Sequence, residues 1–201
     1  MHKSINNLNL IENTLKTKIN NNKYPSIIAV SKTFPMSEIL PLINHGHINF
    51  GENKVQESIE KWTSIKDDFK HIKLHLLGKL QTNKVKYVIP LFDYIHSLDN
   101  FKLAEKISKE QIKMNKKLKI FIQVNIGNEN QKNGIDIDEL DNFYKKCEAD
   151  LDLDIIGLMC LPPKDKDVSI YFSKMLQLSS KIKSKELSMG MSDDFLEASN
   201  Y

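Results

Sequence analysis

A lysine at the end of an apolar run is the residue in this chain best placed for covalent chemistry. Ser26-Ile27-Ile28-Ala29-Val30 is rich in β-branched residues and reads as a buried strand, and Pro35, three residues past Lys32, forbids its continuation. Lys32 therefore falls at the C-terminal end of a strand, where parallel α/β folds collect their working groups. An amine held in a partly apolar mouth can lose its proton and attack an aldehyde to give a Schiff base. A solvated loop lysine has the same local signature. Because all 29 Lys+Arg are lysines, position alone does not choose between the two.

Three further stretches carry polar groups at strand ends. Leu187-Ser188-Met189-Gly190-Met191-Ser192-Asp193-Asp194 places a glycine and two hydroxyls ahead of a helix start, an arrangement that lets backbone N–H groups approach an anion. A strand followed by an N-capping serine explains it equally well, and the two aspartates must point away if a phosphate binds there. Asn49-Phe50-Gly51-Glu52-Asn53 ends another apolar run, with Asn53 able to hydrogen-bond a ligand and Glu52 to pair with a lysine, although a plain strand-to-helix turn accounts for both. In Leu74-His75-Leu76-Leu77-Gly78-Lys79-Leu80-Gln81-Thr82-Asn83-Lys84 the glycine again falls where a strand should stop. His71 and His75 have the i, i+4 spacing of a helical metal pair, yet His71-Ile72-Lys73-Leu74-His75 alternates like a strand, so no metal is expected.

These groups need elements to hold them. Ile5, Leu8, Ile11, Leu15 and Ile19 predict a helix over about 4–20 that stops at Asn20-Asn21-Asn22. Apolar runs follow at Ser26–Val30, Ile48–Gly51, Leu74–Gly78, Asp93–His96, Lys119–Ile126, Asp154–Leu161 and Leu187–Met191. Helices alternate with them: Met36–Asn44 between Pro35 and Gly46, then faces marked by Val55, Ile59, Trp62 and Ile65, by Leu103, Ile107 and Met114 with Asp99 as N-cap, by Leu140, Phe143, Tyr144 and Cys147, and by Val168, Phe172, Met175 and Ile182. A last helix should start at Ser192. Strands alternating with helices predict a parallel sheet, and without a glycine-rich dinucleotide turn after the first strand a closed (β/α) barrel is preferred to an open sheet. Seven strands are visible where such a barrel has eight, so the final unit is expected to be missing, with unpaired edges on the first and seventh strands.

Composition excludes other classes. A net charge of +3, with lysines interleaved among 26 acids, is too mild for a nucleic-acid partner. No stretch reaches membrane-spanning length, the N-terminus has no apolar signal core, and Cys147 and Cys160 read as buried thiols, so a cytoplasmic setting is expected. Without arginine there is no bidentate clamp for a phosphate or carboxylate.

Taken together, Ala29-Val30-Ser31-Lys32-Thr33, Phe50-Gly51-Glu52-Asn53-Lys54-Val55-Gln56-Glu57, His75-Leu76-Leu77-Gly78-Lys79-Leu80-Gln81-Thr82-Asn83-Lys84, Ile95-His96-Ser97-Leu98-Asp99, Gln123-Val124-Asn125, Gly157-Leu158-Met159-Cys160 and Leu187-Ser188-Met189-Gly190-Met191-Ser192 resemble the pyridoxal phosphate homeostasis proteins, relatives of the alanine racemase N-terminal barrel. The resemblance implies that residues 1–201 are a single pyridoxal 5′-phosphate (PLP)-binding barrel domain of the (β/α)8 type. It implies that Lys32 carries PLP as an internal aldimine, that Ser188, Gly190 and Ser192 belong to the pocket, and that Asn53 and Met189 lie near the cofactor. It further implies a protein that stores or delivers PLP to apo-enzymes without robust turnover. A racemase-like enzyme and a weakly binding remnant are the alternatives; no residue pattern demands a dimer, so a monomer or weak dimer is expected.

The family pattern continues past Asp194-Phe195-Leu196-Glu197-Ala198 into a Gly-Ser-Thr turn and a Val-Arg-Ile-Gly strand, where this sequence has Ser199-Asn200-Tyr201. The resemblance places a cofactor-contacting arginine and part of the phosphate cradle in that segment. Charge-assisted hydrogen bonds contribute roughly 1.5–3 kcal/mol each, so a half cradle implies PLP binding weaker by at least roughly an order of magnitude.

Overall fold

Pro35 and Gly46 bracket the first helix to follow a strand, and the same alternation repeats to the end of the chain. The computed structural model describes residues 2–19, 24–129, 133–163, 166–182, 184 and 186–201. Seven strands run through them: β1 (Ala29–Val30), β2 (Asn49–Glu52), β3 (Lys73–Leu76), β4 (Tyr94–Leu98), β5 (Lys119–Gln123), β6 (Asp154–Met159) and β7 (Glu186–Ser188). The helices are α1 (Lys3–Lys18) ahead of the sheet, α2 (Met36–Asn44), α3 (Val55–Asp68), α4 (Val85–Leu91), α5 (Phe101–Met114), α6 (Leu140–Ala149), α7 (Val168–Lys181) and the short α8 (Phe195–Ala198). The Asn20-Asn21-Asn22 stop expected for α1 lies outside the described residues.

All strand pairings are parallel and join sequence neighbours in the order β1-β2-β3-β4-β5-β6-β7, with β1 and β7 at the two edges. Alternation along each strand divides the side chains. Phe50, Leu74, Leu76, Ile95, Ile120, Ile122 and Leu158 are fully buried in the main apolar core, which they share with Trp62 of α3, Ile107 of α5, Phe143 of α6 and Phe172 of α7. The alternate positions hold Asn49, His75, His96, Phe121 and Ser188, linked to one another by hydrogen bonds and ring stacking. Ser188 on β7 bonds His96 on β4 across two intervening strands. Only a strongly curved sheet brings those strands within one hydrogen bond, and this is the barrel curvature expected from the sequence.

The elements depart from expectation at their ends, each for a local reason. The strand expected over Ser26–Val30 shrinks to two residues because β1 has a single neighbour and registers on β2 only at Phe50 and Gly51. The run Lys119–Ile126 leaves the sheet at Gln123, after which Val124 makes an isolated bridge to Ile135 and Asn128 turns the chain at φ 51°. Leu187–Met191 stops at Ser188, since Gly190 takes φ +86°. The N-cap of α5 is Asn100, whose side chain accepts from the Leu103 N–H, and not Asp99. The last helix starts at Phe195; Ser192, Asp193 and Asp194 form the turn before it. Cys147 and Cys160 are free, buried thiols whose pKa burial pushes up to about 12.

Candidate functional site

Lys32 sits in a turn closed by the Phe34 N–H on the Ser31 carbonyl (3.2 Å). Thr33 in this turn adopts φ 65°, a left-handed conformation that a β-branched residue avoids, at a strain of about 1–3 kcal/mol. Such strain persists only where neighbours over-determine it. Here the Thr33 N–H donates to Glu57 Oε1 (2.6 Å), and Lys61 Nζ donates to the Ser31 carbonyl (2.8 Å), to Glu57 Oε1 (3.0 Å) and to Glu52 Oε1 (3.0 Å). Glu52 Oε1 also accepts from Ser31 Oγ (2.8 Å) and from Trp62 Nε1 (2.9 Å). The Glu52 side chain is wholly buried and that of Lys61 is 10% exposed, so the pair is shielded from solvent screening. The Thr33 N–H, then Lys61, holds the Glu57 carboxyl below the usual carboxylate range.

Residues on either side of Lys32 are thus clamped from α3 and the end of β2, while the Lys32 amine makes no hydrogen bond or ion pair to any described residue. Its side chain is exposed. The partly apolar mouth expected around it is therefore not drawn over it by the described residues, because β1 is an edge strand whose last residue, Val30, is itself 43% exposed.

The other residues singled out from the sequence lie at the same C-terminal end of the parallel strands. Asn53 follows β2 half-buried, and its carbonyl passes so close to Gly78 that a Cβ there would lie 2.1 Å from the oxygen. Gly78 is thus required for this approach, and its own carbonyl accepts from Ser97 Oγ (2.7 Å). Ser188 ends β7, Met189 packs against the core, Gly190 makes the left-handed turn, and Ser192 is exposed. Asp194 does not point away from this turn: its Oδ1 accepts from the Met191 N–H at 2.5 Å. One backbone donor of the expected anion cradle is therefore already taken by a carboxylate.

Beneath this rim lies a polar chain that no motif announced. Asn49 Oδ1 is 3.2 Å from His75 Nε2, His75 Nδ1 is 2.9 Å from His96 Nε2, and His96 Nδ1 is 2.7 Å from Ser188 Oγ. Tyr94 stacks on His75 with centroids 4.1 Å apart, and Phe121 stacks on His96 at 4.3 Å. Burial lowers the pKa of His75 to about 4 and that of His96 to about 3, where the neighbouring His75 adds to the effect. Both rings are therefore neutral at pH 7. Below the ordinary histidine pKa of about 6.5, the unfolded chain takes up protons that the folded protein refuses. Stability is accordingly complete above that value and expected to fall as the pH drops from about 6.5 toward 4 and 3. Urea midpoints measured at pH 7, 6 and 5 check this, because most carboxylates do not yet titrate in that interval; an unchanged midpoint would contradict the buried, neutral pair.

The structure brings Ser188, Met189, Gly190 and Ser192 together at the end of β7 and sets Lys32 and Asn53 at the ends of β1 and β2, with no direct bond between the two groups. Sequence reasoning missed Asn49, His75 and His96 as a unit and Lys61 as the partner of Glu52. The alternation His71-Ile72-Lys73-Leu74-His75 was the available signal for an inward-facing His75.

Comparison with known proteins adds relatives to this geometry. The family model described as alanine racemase, N-terminal domain, matches residues 5–201. The chain is similar to the pyridoxal phosphate homeostasis protein of Aquifex aeolicus, 36% identical over 178 residues that make up 84% of this chain and 77% of that protein. Structures of PipY from Synechococcus elongatus without PLP and with PLP bound match with TM-scores of 0.85 and 0.81, each at 30% identity. The matches cover 96% and 93% of this chain and 91% and 90% of PipY. An alanine racemase of Clostridium difficile matches at a TM-score of 0.66 and 15% identity over 89% of this chain and 46% of the racemase, a likeness of fold alone.

Proposed function

The chain belongs to the alanine racemase N-terminal domain family and, within it, to the pyridoxal phosphate homeostasis proteins, and on that basis we propose that it binds pyridoxal 5′-phosphate through Lys32 and holds it for other proteins without turning over amino acids. The observation that carries this reading is the Lys32 turn: a strained, doubly clamped loop that presents an uncommitted primary amine at the end of β1. Bound PLP supplies an aldehyde that condenses with a primary amine and, in enzymes, an electron sink.

The donor set fits such a ligand. Lys32 offers the nucleophilic amine, and Ser188, Gly190 and Ser192 line the β7 rim where the phosphoryl group belongs in barrels of this type. Asn53 and Met189 are the groups flanking the ring. Asp194, holding the Met191 N–H, opposes an anion there, which supports a modest grip suited to release. The proposed setting is the cytoplasm, the proposed recipients are PLP-dependent apo-enzymes, and the proposed state is a monomer or weak dimer. No helix among the described residues is long and apolar enough to cross a membrane.

Incubation with PLP, borohydride reduction and peptide mapping tests the reading. A stoichiometric pyridoxyl mass on Lys32, with no D-alanine formed from L-alanine, is expected. With 29 lysines in the chain, modification scattered over many of them would mark nonspecific labelling and reject the assignment.

A further inference from the structure

The bonds linking Asn49, His75, His96 and Ser188 admit one direction at a time. Each neutral imidazole carries a single N–H. Asn49 presents its carbonyl oxygen to His75, so the His75 proton sits on Nε2 and its Nδ1 accepts. The His96 proton must then sit on Nε2 to donate to His75, leaving His96 Nδ1 to accept from the Ser188 hydroxyl. Among the described residues neither ring hydrogen-bonds a carboxylate, and their other close partners are the stacked rings of Tyr94 and Phe121, so the chain itself sets the two tautomers. In this direction Ser188 spends its one proton inward and can only accept from a ligand.

We infer that this chain is a two-state element, and that seating a phosphoryl group against Ser188 reverses it as far as Asn49 on β2. The inference rests on the reading above, that a phosphoryl-bearing ligand lies at the β7 rim. A phosphate oxygen accepts hydrogen bonds, so Ser188 contributes to holding it only by turning its proton outward. His96 Nδ1 must then carry a proton and donate to Ser188, His75 Nδ1 must donate to His96 Nε2, and Asn49 must rotate its amide to offer Nδ2 to His75 Nε2. Both states hold the same three protons, one on Ser188 and one on each ring. Passage along the chain takes up one proton from solvent at Ser188 and releases one from His75 Nε2 to solvent past the half-buried Asn49. A ligand without a phosphoryl group has no reason to reverse it.

The test uses the full chain labelled with 15N-histidine, whose nitrogen shifts distinguish bare from protonated Nδ1 and Nε2. In the free protein both protons are expected on Nε2. Saturation with PLP, or with inorganic phosphate, is expected to move both to Nδ1, whereas pyridoxal leaves them on Nε2. In the variant Ser188→Ala, which lacks the hydroxyl that couples ligand to chain, saturation with PLP is expected to leave both protons on Nε2, and protons that still move to Nδ1 would overturn coupling through Ser188. Saturable PLP binding to the parent protein with both protons still on Nε2 overturns the inference alone. Absence of saturable PLP binding overturns the inference and the proposed function together.

Discussion

Replacing Lys32 by alanine is expected to abolish the borohydride-fixable adduct with PLP, and Lys32→Arg is expected to do the same. Arginine keeps the positive charge and the reach, but its guanidinium does not deprotonate to a nucleophile, so the pair separates covalent capture from electrostatic attraction. What remains is noncovalent contact at the β7 rim, and affinity is expected to fall by at least roughly tenfold. Lys61 and Lys79 are not free to take over. Lys61 is engaged by Glu52, Glu57 and the Ser31 carbonyl, and Lys79 is bonded to Asn133 at 2.7 Å. Absorbance of the protein–PLP mixture before and after reduction, followed by mapping, reads the result. An undiminished stoichiometric adduct in Lys32→Arg would remove Lys32 from its assigned role.

Glu52→Ala is expected to have the largest effect on stability, about 3–5 kcal/mol, because it breaks a buried ion pair from one side. The Lys61 ammonium stays in place, 10% exposed, with only Glu57 to balance it, while Trp62 Nε1 and Ser31 Oγ lose an acceptor. Glu52 Oε2 is already buried without a hydrogen-bond partner among the described residues, so this carboxylate depends on what reaches its other oxygen. Glu52→Gln retains an acceptor for Trp62 and Ser31 and gives up the charge, and an intermediate loss is expected. Urea denaturation of the three proteins at pH 7 measures the series. The same clamp holds the residues on either side of Lys32, so a Glu52→Gln protein that remains folded should capture PLP more slowly. Equal stability of Glu52→Ala and the parent would show that the buried pair contributes nothing to the fold.

Much of this arrangement is legible in the sequence where a local rule decides it. Pro35 and Gly46 bound α2, the four-three-seven spacing of Val168, Phe172, Met175 and Ile182 marks α7, and Lys32 falls at a strand end because Pro35 follows it. The pairing of Glu52 with a lysine was also foreseeable, but its identity was not: Lys61 looks like any solvated lysine on a helix face. Periodicity reports which face of an element is apolar, not which distant element meets its polar positions. His75 and His96 sit in runs that read as buried strand, and only the curvature bringing β4 beside β7 reveals that they belong to one chain of bonds. The role of Asp194 was hidden for a related reason. Asp194 looks like a helix-dipole partner in the sequence, whereas the later start of α8 frees it to cap Met191.

The strictly sequential strand order bears on how this molecule comes into being. Each strand hydrogen-bonds only to those made just before and just after it, so every βα unit can dock onto its predecessor during synthesis without waiting for a distant partner. Among the described residues the His96–Ser188 bond is the exception, since it links two non-adjacent strands through residues 92 positions apart. Loop-closure entropy favours the short-range pairings first, so the bend of the sheet is completed late, when β7 arrives and its serine reaches the waiting imidazole.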